Sequence, residues 1–148
     1  MDRADVGSWI GGPLPEGHEY RGERLGLPEV GPGSMAGTGR RAAALLIDWL
    51  ASYVIALALM GGLPRTAAES FLTMGIFFVE VTILTWLTGA SFGQRLVGLR
   101  VGGRTRRLGL VGCALRTGLI CLVIPPLIWD ADGRGLHDRA VDSLVVRA

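Results

Sequence analysis

Three ionisable side chains stand alone inside long apolar runs of this sequence. Asp48 lies in the run 42–60, Glu80 in the run 71–90 and Arg116 in the run 108–129. A charge near the centre of a bilayer costs about 2.5–3.5 kcal/mol or more, so such residues pair with one another or mark routes for ions and protons. The chemistry that this pattern indicates is therefore charge pairing, or cation and proton binding, in an apolar environment.

Each of these runs is long enough to cross a membrane as a helix. A helix rises about 1.5 Å per residue, so about 20 apolar residues span the hydrocarbon core. Apolar residues make up 49% of the 148 residues. The predicted fold class is an all-α membrane protein with about three transmembrane or membrane-embedded helices. We also expect a disordered N-terminal tail, with short extended segments in the cytoplasmic connection and at the C-terminus.

The composition of the chain changes near residue 40. Residues 1–39 hold six acidic residues and three arginines, are rich in glycine and proline, and lack a sustained apolar period. Such composition is typical of disordered segments. We predict a disordered Gly/Pro-rich acidic tail over residues 1–39 and one membrane domain over residues 40–148.

The arginines predict the orientation of the first two helices. The connection 91–107 carries five arginines and no acid, whereas the connection 61–70 carries one arginine and one glutamate. Because cytoplasmic loops are enriched in basic residues, we expect a multi-pass protein of the cell membrane with its N-terminus in the cytoplasm. The arginines of the second connection would bind anionic lipid headgroups. A net charge of +2 is too small to indicate nucleic-acid binding.

The sequence leaves open whether the third apolar run crosses the membrane. Two consecutive prolines end any regular helix near residue 124. Residues 97–101 and 143–146 both have β-type composition, and they can pair only if they lie on the same side of the membrane. A full crossing would separate them, whereas a re-entrant or surface-lying third segment would allow the pairing.

The ionisable residues admit two interpretations. Arg41 and Asp48 are seven positions apart, so they project from roughly the same face of the first helix. In one interpretation Asp48 pairs with an arginine and fixes helix packing. In the other it binds a cation or carries a proton. Glu80 and Arg116 are natural partners to consider, and one carboxylate would remain in excess.

The C-terminal stretch from residue 135 to residue 139 places three ionisable groups side by side. His137 is next to Asp138, and Arg139 follows. A metal site that also used Asp130 and Asp132 is disfavoured, because a second nearby histidine is lacking. A turn held by charge-assisted hydrogen bonds is the favoured interpretation.

Enzymatic chemistry finds no support in the motifs of the chain. There is no Ser–His–Asp order, zinc-binding histidine pattern or phosphate loop, so we predict no enzyme, no cofactor and no metal. Cys113 and Cys121 both lie in the third apolar run, where small packing residues are a better interpretation than a disulfide.

Four sequence blocks, taken together, resemble the RDD family of small bacterial membrane proteins. The family is named for one arginine and two aspartates, and Arg41, Asp48 and Asp138 stand at the matching positions. The other positions that carry the resemblance are Gly93, Gln94, Arg95, Gly98, Arg100, Arg116, His137 and Arg139. The resemblance covers residues 40–146, although the third segment is shorter than in many members. The family has no generally agreed activity, and cation–proton exchange is suggested for some members.

Two functions of different classes follow from these observations. The first is a non-enzymatic accessory or scaffold module with a buried Arg/Asp charge network, acting as a homo-oligomer or with a membrane protein partner. The alternative is an oligomeric cation- or proton-coupled transporter in which Asp48 and Glu80 are the titrating carboxylates.

Overall fold

The computed structural model describes residues 16–17, 19–63, 66–104, 107–122 and 134–148. It is mostly helical, and it adds a small antiparallel sheet of two strands. After a short 3₁₀ turn at Glu23–Leu25, the elements are α1 (Thr38–Met60), α2 (Ala67–Thr88), α3 (Phe92–Leu96), β1 (Leu99–Gly103), α4 (Leu110–Cys121), α5 (Leu136–Ala140) and β2 (Ser143–Arg147).

Helices α1 and α2 are long and apolar enough to cross a membrane. They have 23 and 22 residues, and their mean hydropathy over 18 residues is 2.0 and 1.8. Their large apolar side chains mostly point away from the protein: Leu59 is 70% exposed and Val54 is 62% exposed. A core helix of a water-soluble protein buries such a face, so this surface requires an apolar environment or a covering partner.

Local sequence signals set the ends of these helices. Helix α2 begins with a capping box, in which the side chains of Thr66 and Glu69 each accept a hydrogen bond from the backbone of the other. Helices α1 and α2 end at Gly61 and Gly89, which have left-handed φ angles of 70° and 76°. Glycine adopts this conformation without the steric cost that other residues meet.

Small residues line the buried face of α1. Ala44, Ser52 and Ala56 are almost fully buried, and Asp48 lies between them at the same helical spacing. Small side chains at a helix interface let neighbouring backbones approach closely, which is a main source of helix association in lipid. The rings of Trp49 and Phe77, whose centroids are 5.7 Å apart, add an edge-to-face contact between α1 and α2.

The sheet lies at the end of the hairpin where α1 begins and α2 ends. Strand β1 pairs with β2 in a register that places Leu99 opposite Arg147 and Val101 opposite Val145. The side chains of Leu99, Val101 and Val145 form a small core with Ala36 and Ala44. The sheet therefore packs against the first turns of α1.

The last residues of the predicted tail belong to this domain. The backbone N–H groups of Gly33 and Ala36 donate to the carbonyl oxygens of Arg147 and Val145 at 2.8 and 3.0 Å, along the free edge of β2. The boundary predicted at residue 40 is therefore too late, because the open edge of β2 supplies backbone partners to residues 33–36. Residues 1–15 and 18 lie outside the described residues.

The third apolar run contains a helix that is too short to cross a membrane by itself. Helix α4 ends at Cys121 after 12 residues, a length of about 18 Å. Its Ile120 packs against Phe77 and Val81, near the middle of α2. Residues 123–133 lie outside the described residues, but β2 returns to pair with β1. This pairing agrees with a re-entrant or surface-lying third segment and disagrees with a full crossing of a membrane.

Helix α3 is packed onto α1 through a glycine. A Cβ atom added to Gly93 would collide with the carbonyl oxygen of Ala44 and lie 3.0 Å from Oδ1 of Asp48. The backbone oxygen of Ala44 is fixed within α1 and cannot yield as a flexible side chain could. The close contact between α3 and α1 therefore requires glycine at position 93.

We expect Gly93→Ala to destabilise the protein by about 1–3 kcal/mol, because overpacking forces the backbones apart. Gly75→Ala is the matched control, since no heavy atom outside its own helix backbone and chain neighbours lies within 4 Å of a Cβ at that position. Thermal unfolding of both variants in the same detergent measures the difference. Equal unfolding temperatures would contradict the close packing of α3 on α1.

Candidate functional site

Asp138 is the centre of a buried ion-pair network. Its Oδ1 lies 2.8 Å from Nε of Arg116, and its Oδ2 lies 3.5 Å from Nη1 of Arg41. The hydroxyl of Ser143 donates to Oδ1 at 3.0 Å, and Nε2 of His137 lies 3.4 Å from Oδ2. The side chain of Asp138 is 1% exposed. One carboxylate thus connects α1, α4 and the start of β2 with its own helix, α5.

The surrounding charges favour the ionised form of Asp138. Burial by itself raises the pKa of a carboxyl group, but the charge of Arg116, with those of His137 and Arg41, outweighs it. The pKa of Asp138 consequently lies below the ordinary value of 3.8. Asp138 is therefore an anion at neutral pH, and this single negative charge contacts the permanent positive charges of two arginines.

Arg41 also contacts the sheet region directly. Its Nη2 donates to the carbonyl oxygen of Val145 at 3.3 Å and approaches Sδ of Met35 at 3.1 Å. Arg41 lies in the first turn of α1, so its long side chain reaches from that helix to β2 and to the segment before α1. This arginine is therefore shared between the helical hairpin and the sheet.

Asp48 forms a second centre, which is built on α3. Its Oδ2 accepts a hydrogen bond of 2.5 Å from the hydroxyl of Ser91, and its Oδ1 accepts one of 2.5 Å from the backbone N–H of Gly93. Ser91 and Gln94 form a capping box at the start of α3. Asp48 is 1% exposed. The carboxylate thus accepts hydrogen bonds at the start of α3, where the first turn of a helix leaves backbone N–H groups such as that of Gly93 without intrahelical partners.

Glu80 completes the cap of α3 from the neighbouring helix. Its Oε1 accepts a hydrogen bond of 3.1 Å from the backbone N–H of Phe92. Its Oε2 is buried and has no hydrogen-bond partner among the described residues. Asp48 is near enough for the two carboxylates to interact electrostatically. Glu80 is therefore the less satisfied member of this acidic pair.

The structure divides the predicted charge residues into two centres. Arg41, Arg116 and Asp138 meet at the sheet end of α1, whereas Asp48 and Glu80 meet at the start of α3. The pairing of Arg41 with Asp48 is not observed, because each is engaged with a different element. Among the described residues, Glu80 and Arg116 form no ion pair either. Arg116 acts on Asp48 only through space.

Three acids and two arginines occupy these two centres. If all are ionised, the arginines balance two carboxylates, and one negative charge remains. Asp48 and Glu80 both lack an ion pair among the described residues, since Arg41 and Arg116 contact Asp138. Both oxygens of Asp48 accept hydrogen bonds, whereas Oε2 of Glu80 accepts none from a described residue, so Glu80 is the less satisfied of these two acids.

The motif positions of the resemblance differ in their surroundings. Gly93 and Gln94 are buried at the Asp48 centre, and His137 is buried beside Asp138. Gly98 has a φ of 67° in the turn between α3 and β1. Three motif arginines have exposed side chains outside both centres: Arg95, Arg100 and Arg139.

Two serines of the site were not singled out from the sequence. Ser91 stands three residues before Gln94, and this spacing is the signature of a capping box. That signal was available, although it does not reveal that Asp48 accepts the serine hydroxyl. Ser143 has no comparable local signal, because it meets Asp138 only through the turn between α5 and β2.

The described residues contain no group of three or more His, Cys, Asp or Glu side chains that could hold a metal ion. Asp130 and Asp132 lie outside the described residues. Cys113 and Cys121 are both free thiols, and Cys113 is buried on α4 near Arg116.

We expect Asp138→Asn to lower the free energy of unfolding by about 3–5 kcal/mol, because it removes the buried negative charge that both Arg41 and Arg116 contact. Asp142→Asn is the matched control: its side chain is 52% exposed and it pairs with Arg134. A surface pair contributes at most about 1 kcal/mol. Chemical denaturation in detergent compares the two. Similar losses would show that the Asp138 network is not the stronger constraint.

The chain was also compared with protein-family models, curated proteins and solved structures, and it matches none of them. The resemblance to the RDD family therefore rests on the four sequence blocks.

Proposed function

We propose that this chain is an RDD-like, multi-pass protein of the cell membrane that acts as a non-enzymatic accessory or scaffold module. The observation that carries the proposal is that the carboxylate of Asp48 is engaged in hydrogen bonds within the protein. Both of its carboxylate oxygens accept hydrogen bonds of 2.5 Å from the segment that begins α3. Asp48, the acidic residue of α1, thus holds the segment that begins α3 against a membrane helix.

The donors around Asp48 favour a structural role over cation binding. A cation at either oxygen would meet the positive end of an O–H or N–H group that already points at that oxygen. Asp48 is also 1% exposed, so a cation could reach its free lone pairs only if neighbouring groups moved, and Gly93 is held in close contact with α1. The rigid backbone of α1 supports the interpretation that Asp48 is an anchor.

The charges at the two ends of the hairpin support the proposed orientation. Arginines are frequent at the sheet end, where the exposed members include Arg40, Arg95, Arg100, Arg104 and Arg107. The positive-inside rule assigns this end to the cytoplasm. Under this proposal the C-terminus lies on the cytoplasmic side as well, and the pairing of β2 with β1 supports that position.

The exposed faces of the hairpin supply a surface for lipid or for another membrane helix. Leu46, Leu50 and Val54 are all more than half exposed on α1, as are Val79 and Leu87 on α2. Under the proposal these faces contact acyl chains and a membrane partner, either a second copy or a different protein. Site-directed crosslinking in membranes identifies which of these partners is present.

The alternative, a cation- or proton-coupled transporter, is favoured by one observation. Oε2 of Glu80 is buried without a hydrogen-bond partner among the described residues, and Asp48 is nearby. A buried carboxylate oxygen in this state can take up a proton or contact a cation. In this hypothesis Glu80 is the carrier, and Asp48 holds α3 beside it.

Flux into proteoliposomes separates the two functions. Under the accessory proposal, wild-type protein carries no monovalent cation or proton flux above empty liposomes. Asp48→Asn instead lowers stability by about 1–3 kcal/mol, because the asparagine amide keeps one acceptor oxygen and one of the two buried donors loses its acceptor. Size-exclusion chromatography and thermal unfolding detect that loss.

The matched control for the transporter hypothesis lies on the same helix. Glu69 is in the capping box of α2, where glutamine also serves as a cap. A wild-type flux that Glu80→Gln abolishes and Glu69→Gln preserves, at equal insertion, would overturn the accessory proposal and support transport.

A further inference from the structure

Two adjoining cavities lie at the sheet end of the protein, between α2, β1 and α4. The larger has a volume of about 500 Å³ and includes Arg104, Arg107 and the first residues of α4. The smaller, of about 130 Å³, includes Thr85 and Trp86. The two meet at Gly103, Arg107 and Leu108, which line both. We call the two cavities together the α4 groove.

The α4 groove carries positive charge that the described residues do not neutralise. Arg104 and Arg107 are exposed, and neither forms an ion pair with a described residue. The acid at the rim, Asp142, lies 3.1 Å from Nη2 of Arg134, so its charge is already balanced. The groove therefore attracts an anion.

A buried hydroxyl in the groove also lacks a partner. Thr85 is 5% exposed, and its Oγ1 has no hydrogen-bond partner among the described residues. Thr85 lines the smaller cavity. A buried polar group without a partner is costly, so a ligand oxygen at this position would satisfy it. This observation is independent of the arginines.

The start of α4 adds a third feature that suits an anion. Helix α4 has 12 residues, and its N-cap, Gly109, provides no side-chain hydrogen bond to the first turn. Gly109 and Gly112 line the larger cavity. The open N–H groups and the helix dipole favour negative charge there.

The apolar neighbours of the groove indicate a lipid. Val111 lines the larger cavity and is 81% exposed, while Trp86 lines the smaller one and is 44% exposed. Tryptophan is enriched at the headgroup level of membranes. A ligand with a phosphate and acyl chains would place the phosphate near Arg104 and Arg107 and its chains along the exposed apolar surface.

We propose that the α4 groove binds the phosphate ester of an anionic phospholipid through Arg104, Arg107 and the hydroxyl of Thr85. This inference rests on the proposed membrane location, and it adds a defined lipid site to it. The site would anchor the start of α4 at the headgroup level, where the re-entrant segment enters the hydrocarbon.

Native mass spectrometry of the full chain in detergent, titrated with phosphatidylglycerol, tests the site. We expect Arg107→Gln to weaken binding of the first lipid about fivefold, the effect of one arginine near a membrane surface. Arg100→Gln is the matched control: Arg100 is exposed on β1 and lines neither cavity. We expect that control to change the affinity less than twofold.

Thr85→Val tests the site without changing charge. We expect a loss of about fivefold in lipid affinity, which corresponds to one hydrogen bond. The unfolding temperature of the lipid-free protein should not fall, because the variant removes a buried hydroxyl that has no partner among the described residues. Equal losses in Arg107→Gln and Arg100→Gln, together with full binding by Thr85→Val, would overturn the site and indicate diffuse attraction.

Two further measurements distinguish a failure of the lipid site from a failure of the proposed membrane location. Glycerol 3-phosphate at millimolar concentration should neither bind the protein nor displace phosphatidylglycerol from it. If it binds as tightly as phosphatidylglycerol does, the ligand of the groove is a soluble phosphate and the lipid proposal is overturned. Reconstitution into vesicles followed by alkaline extraction checks the proposed location. Protein that remains inserted but retains no phosphatidylglycerol would contradict this inference alone, whereas extracted protein would contradict the proposed function as well.

Discussion

The constraint on which the rest of the structure depends is the cost of an unpaired charge in an apolar environment. Asp138 meets it by contacting Arg116 at 2.8 Å and Arg41 at 3.5 Å. Because these three residues come from α5, α4 and α1, satisfying one carboxylate also fixes the relative positions of three helices. The same arginine, Arg41, donates to β2, so the sheet is held against the hairpin by the charge network as well as by its small apolar core.

The same cost of an unpaired buried charge applies at the Asp48 centre, where different donors stabilise the carboxylate. Instead of an arginine, Asp48 uses a hydroxyl and a backbone N–H from the start of α3, and Glu80 takes the neighbouring N–H of Phe92. The two carboxylates thus hold the connection after α2 close to the helices. The two carboxylates differ in that both oxygens of Asp48 accept hydrogen bonds, whereas Glu80 has one buried oxygen without a described partner.

Much of the architecture could be predicted from the sequence because hydropathy and proline positions are local signals. The two long apolar helices follow directly from runs of apolar residues, and the β-type runs at 97–101 and 143–146 overlap the observed strands. The partners of the charges could not be predicted in this way. Arg41 and Asp48 share a helix face, yet their partners come from positions 138 and 91–93, and only the return of the chain to the sheet end brings these together. The same return explains why residues 33–36 join the domain: their partner, β2, is more than a hundred residues later.

The most direct test of this account is the sidedness of the C-terminus in membranes. Single cysteines at positions 30, 62 and 148, in a background without Cys113 and Cys121, can be labelled with a membrane-impermeant maleimide in vesicles of known orientation. All three positions are exposed in the structure. The account predicts that positions 30 and 148 react from one side and position 62 from the other, because β2 pairs with β1 and with the segment before α1. Labelling of position 148 from the same side as position 62 would contradict the re-entrant third segment and the Asp138 network with it.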